Sequence, residues 1–189
     1  MKKFTLCICT LLMIAQWGFA QKKMNHAGFI DINGGIGLFP TFVKDAGKMK
    51  VPPLTLNMSY RLKENFSVGV FVAHSVTETD MVLLKSGETA KWGNSFSVVG
   101  ARMAAHVRQI DPWDVYGGLS VGYSVSHIDM MVGNIQKLKD EKGLKENSGN
   151  LLMTGFLGFR YAMAEKVGIF GEVGFGVSLA TVGISVRLK

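Results

Sequence analysis

Residues 150–178 read NLLMTGFLGFRYAMAEKVGIFGEVGFGVS, and hydrophobicity alternates through them twice. In the first half Leu151, Met153, Leu157, Phe159 and Tyr161 share one parity, with Asn150, Thr154, Gly158 and Arg160 on the other. In the second half Val167, Ile169, Val173, Phe175 and Val177 form an apolar row against Glu172, Gly174, Gly176 and Ser178. A period of two over runs this long specifies β-strands, and the four residues 163–166 (MAEK) specify a hairpin between them. One face is bulky hydrocarbon; the other is Gly, Ser and Thr with a few charges. A sheet of that kind needs a wide apolar surround on one side and leaves only a narrow space on the other.

The same grammar runs outward through the chain. Strands are expected at 27–39, 54–61, 66–76, 94–107, 115–125 and 180–189, which with the opening pair makes about eight. The connectors alternate: long, polar ones at 41–53, 77–93 and 126–148, and short ones at 62–65, 108–114 and 163–166. Pro52 and Pro53 cannot donate to a ladder, which argues against a strand there. The stretch 136–146 has the composition of a helical turn or a loop.

Before these strands, Lys2 and Lys3 precede an apolar run from Phe4 to Ala15, and Gly18-Phe19-Ala20 supplies small residues for cleavage before Gln21. Residues 1–20 are therefore expected to be a cleaved signal peptide, and 21–189 a single exported barrel domain. Cys7 and Cys9 fall inside the leader, so the mature chain is expected to hold no disulfide and no thiol chemistry. Neither follows a complete apolar run, as an acylated lipoprotein cysteine would. The formal charge of +7 falls to +5 once Lys2 and Lys3 are removed. No basic run or RNA-binding signature accompanies it, so nucleic acid is not an expected partner.

After the leader no run of about 18 apolar residues exists, so no membrane-spanning helix is expected. Yet the chain is 48% hydrophobic with 23 glycines and 12 phenylalanines. An even set of strands of about ten residues, with long loops at one end and short turns at the other, accounts for both facts as a closed transmembrane barrel. Lipid offers no hydrogen-bond partners, so such a sheet must close and leave no edge. The small parity then lines the interior, and the bulky parity meets hydrocarbon. Phe39, Tyr60, Phe66, Trp113, Phe159 and Tyr161 lie near strand ends, where aromatic girdles belong.

The chain resembles the small eight-stranded outer-membrane barrels of Gram-negative bacteria, the OmpA/OmpX-like group. The likeness rests on the leader, SYRLKENFSVGVFVAHS at 59–75, DPWDVYGGLSVGYS at 111–124 and VGISVRLK at 182–189. It covers essentially all of 27–189 and implies an all-β, closed, antiparallel up-and-down barrel of eight strands. It further implies outer-membrane location, insertion by the barrel assembly machinery, contact with outer-membrane lipid and lipopolysaccharide, a monomer, and an unidentified surface ligand. One departure stands out: such barrels usually finish on an aromatic residue, and this chain finishes Leu188-Lys189. No peptidoglycan-binding domain is expected to follow.

The small parity carries Asp31, Arg61, Arg102, His106, Arg160, Glu172 and Arg187, read as a structural interior charge cluster. Arg102 and Glu172 are expected to pair at mid-strand, with the others nearer the short turns. The alternative role for these ions is to gate a narrow pore. Neither His26, His74, His106 and His127 nor the Gly34–Gly37 cluster has the spacing of a metal or nucleotide site, so no metal and no cofactor are expected. Ser124, Ser126, His127 and Asp129 near the outer rim raise the reading of a lipid-A-modifying enzyme. Sequence neighbours Ser126 and His127 would point to opposite faces of a strand, so no catalytic residue is assigned. A soluble exported ligand-binding barrel would carry Lys and Glu where this chain carries Gly and Ser.

Overall fold

The computed structural model describes residues 27–41, 47–83, 87–107, 112–133 and 147–189. The leader, His26 and residues 136–146 lie outside the described residues. Nine strands follow in order: β1 Ile30–Gly37, β2 Gly47–Lys63, β3 Phe66–Thr79, β4 Val82–Leu83, β5 Thr89–His106, β6 Trp113–Val132, β7 Asn147–Ala162, β8 Val167–Gly174 and β9 Ala180–Leu188. All but the two-residue β4 form a closed antiparallel ring in the order β3-β2-β1-β9-β8-β7-β6-β5, with β3 pairing β5 to complete it. No helix among the described residues is long and apolar enough to cross a membrane.

The register fixes the shape. From Ile30 the cross-strand partners run through Tyr60, Val68, Met103, Leu119 and Gly155. Gly155 then accepts from Phe175 N, and Ser178 bridges to Pro40. The walk returns to the first strand's line at Pro40, just past the end of β1 and ten residues from its start at Ile30. With strands about 4.8 Å apart and a rise of about 3.3 Å per residue, that offset tilts the strands by about 40°. Eight strands at this tilt enclose a bore that side chains can fill.

The wall has the expected polarity. Leu54, Leu56, Met58, Val70, Val72, Val99, Met103, Leu119, Val121, Leu157, Val173 and Ile184 are exposed on the outside, while Asp31, Arg61, Arg160, Arg187 and a set of Ser, Thr and Asn side chains are buried inside. At the short-turn end Trp113 packs on Tyr161 and Phe159, with ring centroids 4.9 and 5.7 Å apart.

Three expectations are corrected. Strand extends into the long connectors: β2 begins at Gly47, β3 runs to Thr79, β5 begins at Thr89 and β6 runs to Val132. Pairing continues there without the strict alternation that a lipid-facing wall imposes, which is why the sequence pattern fades first. Pro52 and Pro53 sit inside β2, at the register break between Val51 and Leu54 that spares the ladder their missing N–H groups.

Second, Val177 is not on the outward row. β8 stops at Gly174, residues 175–179 bend, and Val177 turns inward against Ala73, Phe96 and Val98. The bend is tied to the chain just past β1, where Phe39 N donates to Ser178 Oγ at 3.1 Å and the Ser178 hydroxyl has the carbonyls of Phe39 (3.0 Å) and Ala180 (2.7 Å) within reach. Third, the interior is not lined by small residues alone. Phe96, Tyr116 and Phe170 are buried, and a Cβ on Gly35 would lie 2.8 Å from Phe170 Cζ. Glycine makes room for these rings.

The ring is uneven. β2, β3, β5, β6 and β7 have 17, 14, 18, 20 and 16 residues, whereas β8, β9 and β1 have 8, 9 and 8. The wall therefore stands high on one side, at the end opposite the short turns.

Candidate functional site: the interior charges and the outer rim

Every charged residue of the expected interior cluster projects into the bore, in two tiers. The upper tier is Arg102 on β5 and Glu172 on β8. Arg102 Nη2 donates to Glu172 Oε1 at 2.6 Å and Nη1 to Oε2 at 3.4 Å. Tyr116 on β6 donates its hydroxyl to the same Oε1 at 2.9 Å. The guanidinium also lies over the ring of Phe156, 4.1 Å from its centroid. A bidentate pair with a phenol and an aromatic face satisfies a charge that would be costly to bury alone.

The lower tier lies beside the short turns. Arg187 Nε and Nη2 donate to the two oxygens of Asp31 at 2.7 and 2.9 Å. Arg61 donates to Asp114 Oδ2 and, through Nη1, to the carbonyl of Glu64 at 3.0 Å. Arg187 Nη2 also reaches Asp114 Oδ2 at 3.5 Å. His106 bridges the tier, with Nδ1 2.9 Å from Asp114 Oδ1 and Nε2 2.9 Å from Ser67 Oγ. Arg160 donates Nε to Ser185 Oγ at 2.8 Å. Arg160 Nη2 and Asn33 Oδ1 are buried without a hydrogen-bond partner among the described residues.

Asp114 was read as part of the 108–114 turn, yet it is buried and is the hub of the lower tier. The signal was present: Asp114 shares parity with Tyr116 and Ser120, so running the strand back one step places it inside. Tyr116 shares the interior parity of Gly118 and Ser120, but strand parity says nothing about partners across the bore, so its bond to Glu172 was not legible in the sequence.

Two small cavities divide the bore. One of about 80 Å³ is lined by Thr55, Asn57, Ser120, Thr154 and Thr181 with Phe71 and Val177. The other, about 20 Å³, is lined by Asp31, Asn33, His106, Asp114 and Arg160, and has room for about one water. Arg102 lines both, so its pair with Glu172 is the partition between them.

The rim residues do not assemble a nucleophile and base. Ser126 donates to Asn94 Oδ1 at 2.6 Å and Ser124 to the Asn150 carbonyl at 3.0 Å. His127 lies 2.6 Å from Asn147 Oδ1 through Nδ1 and 3.0 Å from Asp129 Oδ1 through Nε2. Among the described residues no group of three or more His, Cys, Asp or Glu side chains is placed to hold a metal ion.

Higher on the outer face, Lys50 and Lys91 converge on Glu78, Lys91 at 3.4 Å, and Lys48 lies 3.8 Å from Asp80. The hydrogen bond from Lys50 holds the Glu78 carboxyl below the ordinary carboxylate range, with Lys91 adding to the effect.

No protein-family model matches the chain, and no curated protein does. Solved structures do. The outer-membrane protein OprG of Pseudomonas aeruginosa is similar over 88% of this chain and 99% of its own, with a TM-score of 0.62 at 15% identity. The attachment invasion locus protein Ail of Yersinia pestis, crystallised with the heparin analogue sucrose octasulfate, covers 86% of this chain and 100% of its own, with a TM-score of 0.49 at 14% identity. At 15% identity the likeness to OprG is one of fold.

Proposed function

We propose that the chain is an integral outer-membrane protein whose barrel is a filled anchor. Its tall strand extensions and long connectors, 41–53, 77–93 and 126–148, present a surface outside the membrane. The observation that carries this reading is the inversion of the wall: bulky apolar side chains stand exposed on all eight ring strands, while the charges are paired within. In water that exterior would be an apolar patch far larger than a soluble monomer tolerates. In a bilayer it is the solvent-matched face. Non-enzymatic action fits the rim, where the serine and histidine side chains engage different partners.

The test is fractionation of cells with heat-dependent gel mobility. The folded chain should partition with the outer membrane and migrate faster unheated than boiled. Recovery in a soluble fraction without detergent would overturn the reading.

A second reading, a narrow pore, is favoured by one observation: two cavities lie along the axis with the Arg102–Glu172 pair between them. With that pair closed, the wild-type barrel should show little conductance in planar bilayers. Large, steady wild-type channels would replace the anchor reading with the pore.

A further inference from the structure

The lower tier of the bore does not balance its own charges. Among the described residues it holds three guanidiniums, Arg61, Arg160 and Arg187, against two carboxylates, Asp31 and Asp114. Protonation of His106 would only widen that excess. Both carboxylates are occupied. Asp31 accepts Nε and Nη2 of Arg187, and Asp114 contacts Arg61, Arg187 and His106. Arg160 makes an ion pair with neither. Its Nε donates to a neutral acceptor, Ser185 Oγ, and its Nη2 has no partner, although the residue is only 4% exposed.

The fold brings this group to a cavity. Arg160 reaches from β7 past β8 to Ser185 on β9, and Ser185 faces Asn33 across the β9–β1 ladder. Arg160 and Asn33 both line the smaller cavity of the bore, about 20 Å³, and Ser59 stands in its wall as a further hydroxyl. Asn33 is 7% exposed, and its Oδ1 is likewise buried without a partner. Its Nδ2 donates to Asn57 Oδ1 at 2.8 Å. Turning both amides over keeps that bond in the reverse sense and presents Asn33 Nδ2 to the cavity as a second donor.

Size and charge select the occupant. The volume suits one water or one monatomic ion, which excludes phosphate, sulfate and organic acids. A cation would lie against Arg160. A water would meet the hydrogen bonding but leave the guanidinium buried with its charge uncompensated, which is costly. Asp31 and Asp114 also line the cavity, but their charge is matched by Arg187 and Arg61. We infer that the lower tier binds one chloride between Arg160 Nη2 and the Asn33 amide, as the counter-ion that the chain's own carboxylates do not supply. The site belongs to the bore and is independent of what the outer loops contact.

The experiment is reversible urea unfolding of the full, folded chain in detergent, with gluconate exchanged for chloride at constant ionic strength. One ion bound by the folded chain alone lowers the unfolding constant about tenfold for each tenfold rise in chloride above half-saturation. The wild type should show that slope. Arg160→Met should lose it, and the Lys50→Gln/Lys91→Gln double variant, which removes lysines of the outer face, should keep it. Heat-dependent gel mobility reports separately whether each variant folds. Long-wavelength diffraction from wild-type crystals grown in chloride should show an anomalous peak beside Arg160 Nη2, where a water gives none; this readout stands even if Arg160→Met does not fold. A wild type indifferent to chloride, a slope that survives in folded Arg160→Met, or no anomalous peak beside Arg160 would overturn the assignment and leave the cavity to water.

Discussion

At the scale of single residues, the charges inside the bore act in sets, and each set predicts its own mutant. Glu172 accepts from Arg102 and Tyr116. Glu172→Ala leaves Arg102 buried without its counter-ion, which costs about 3–5 kcal/mol, and should lower the unfolding midpoint in detergent clearly. A double replacement of Arg102 and Glu172 by methionine should recover most of that loss, because an apolar pair of similar volume needs no solvation. If Glu172→Ala melts like the wild type, the pair contributes nothing. Asp114 contacts Arg61, Arg187 and His106 at once, so Asp114→Ala should destabilise more than Glu172→Ala in the same denaturant titration. Parity alone placed the seven expected charges on the interior row. It did not single out Asp114, because a proline-led turn before it hid where the alternation begins.

At the scale of strands, close approach decides where glycine is required. A Cβ on Gly118 would run into the Met103 carbonyl oxygen and the Phe156 ring, while one on Gly155 meets nothing nearer than Leu119 Cδ2 at 3.7 Å. Gly118→Ala should sharply lower folding yield into micelles and Gly155→Ala should not; equal yields would show that the β5–β6 pairing yields to the methyl. The tall extensions make a different prediction. Glu78 ties β2 to β5 through Lys50 and Lys91, and its folded pKa is depressed. That contribution is present above the unfolded carboxylate pKa and is lost as pH falls through the folded one. Protection of the Lys48–Lys50 amides, taken relative to their intrinsic exchange rate at each pH, should therefore fall on strong acidification while that of the bore-lining amides holds. Strand existence and facing were legible wherever lipid enforces alternation, as from Leu54 to Arg61. The extensions were not legible, because beyond the membrane either face accepts polar residues. Nor was the inward turn of Val177, which depends on the tie between Ser178 and the chain just past β1.

At the scale of the whole molecule, the register walk and the wall's polarity are linked. A ring closed with a ten-residue offset has a bore that Phe96, Tyr116, Phe170 and the paired ions fill, so the remaining bulky residues have nowhere to go but out. In a bilayer, charge on that outer face is costly: Met103→Arg near mid-wall should lower stability by about 2–4 kcal/mol in lipid vesicles. The most direct measurement of the central claim is spin-label accessibility along β7, with single cysteines introduced from 151 to 160 and the barrel reconstituted in liposomes. Labels at Leu151, Met153, Leu157 and Phe159 should collide readily with dissolved oxygen and poorly with a water-soluble nickel chelate, while Thr154 and Arg160 stay shielded from oxygen. Oxygen contact at Thr154 and Arg160, with Met153 and Leu157 buried or open to the chelate, would contradict the account.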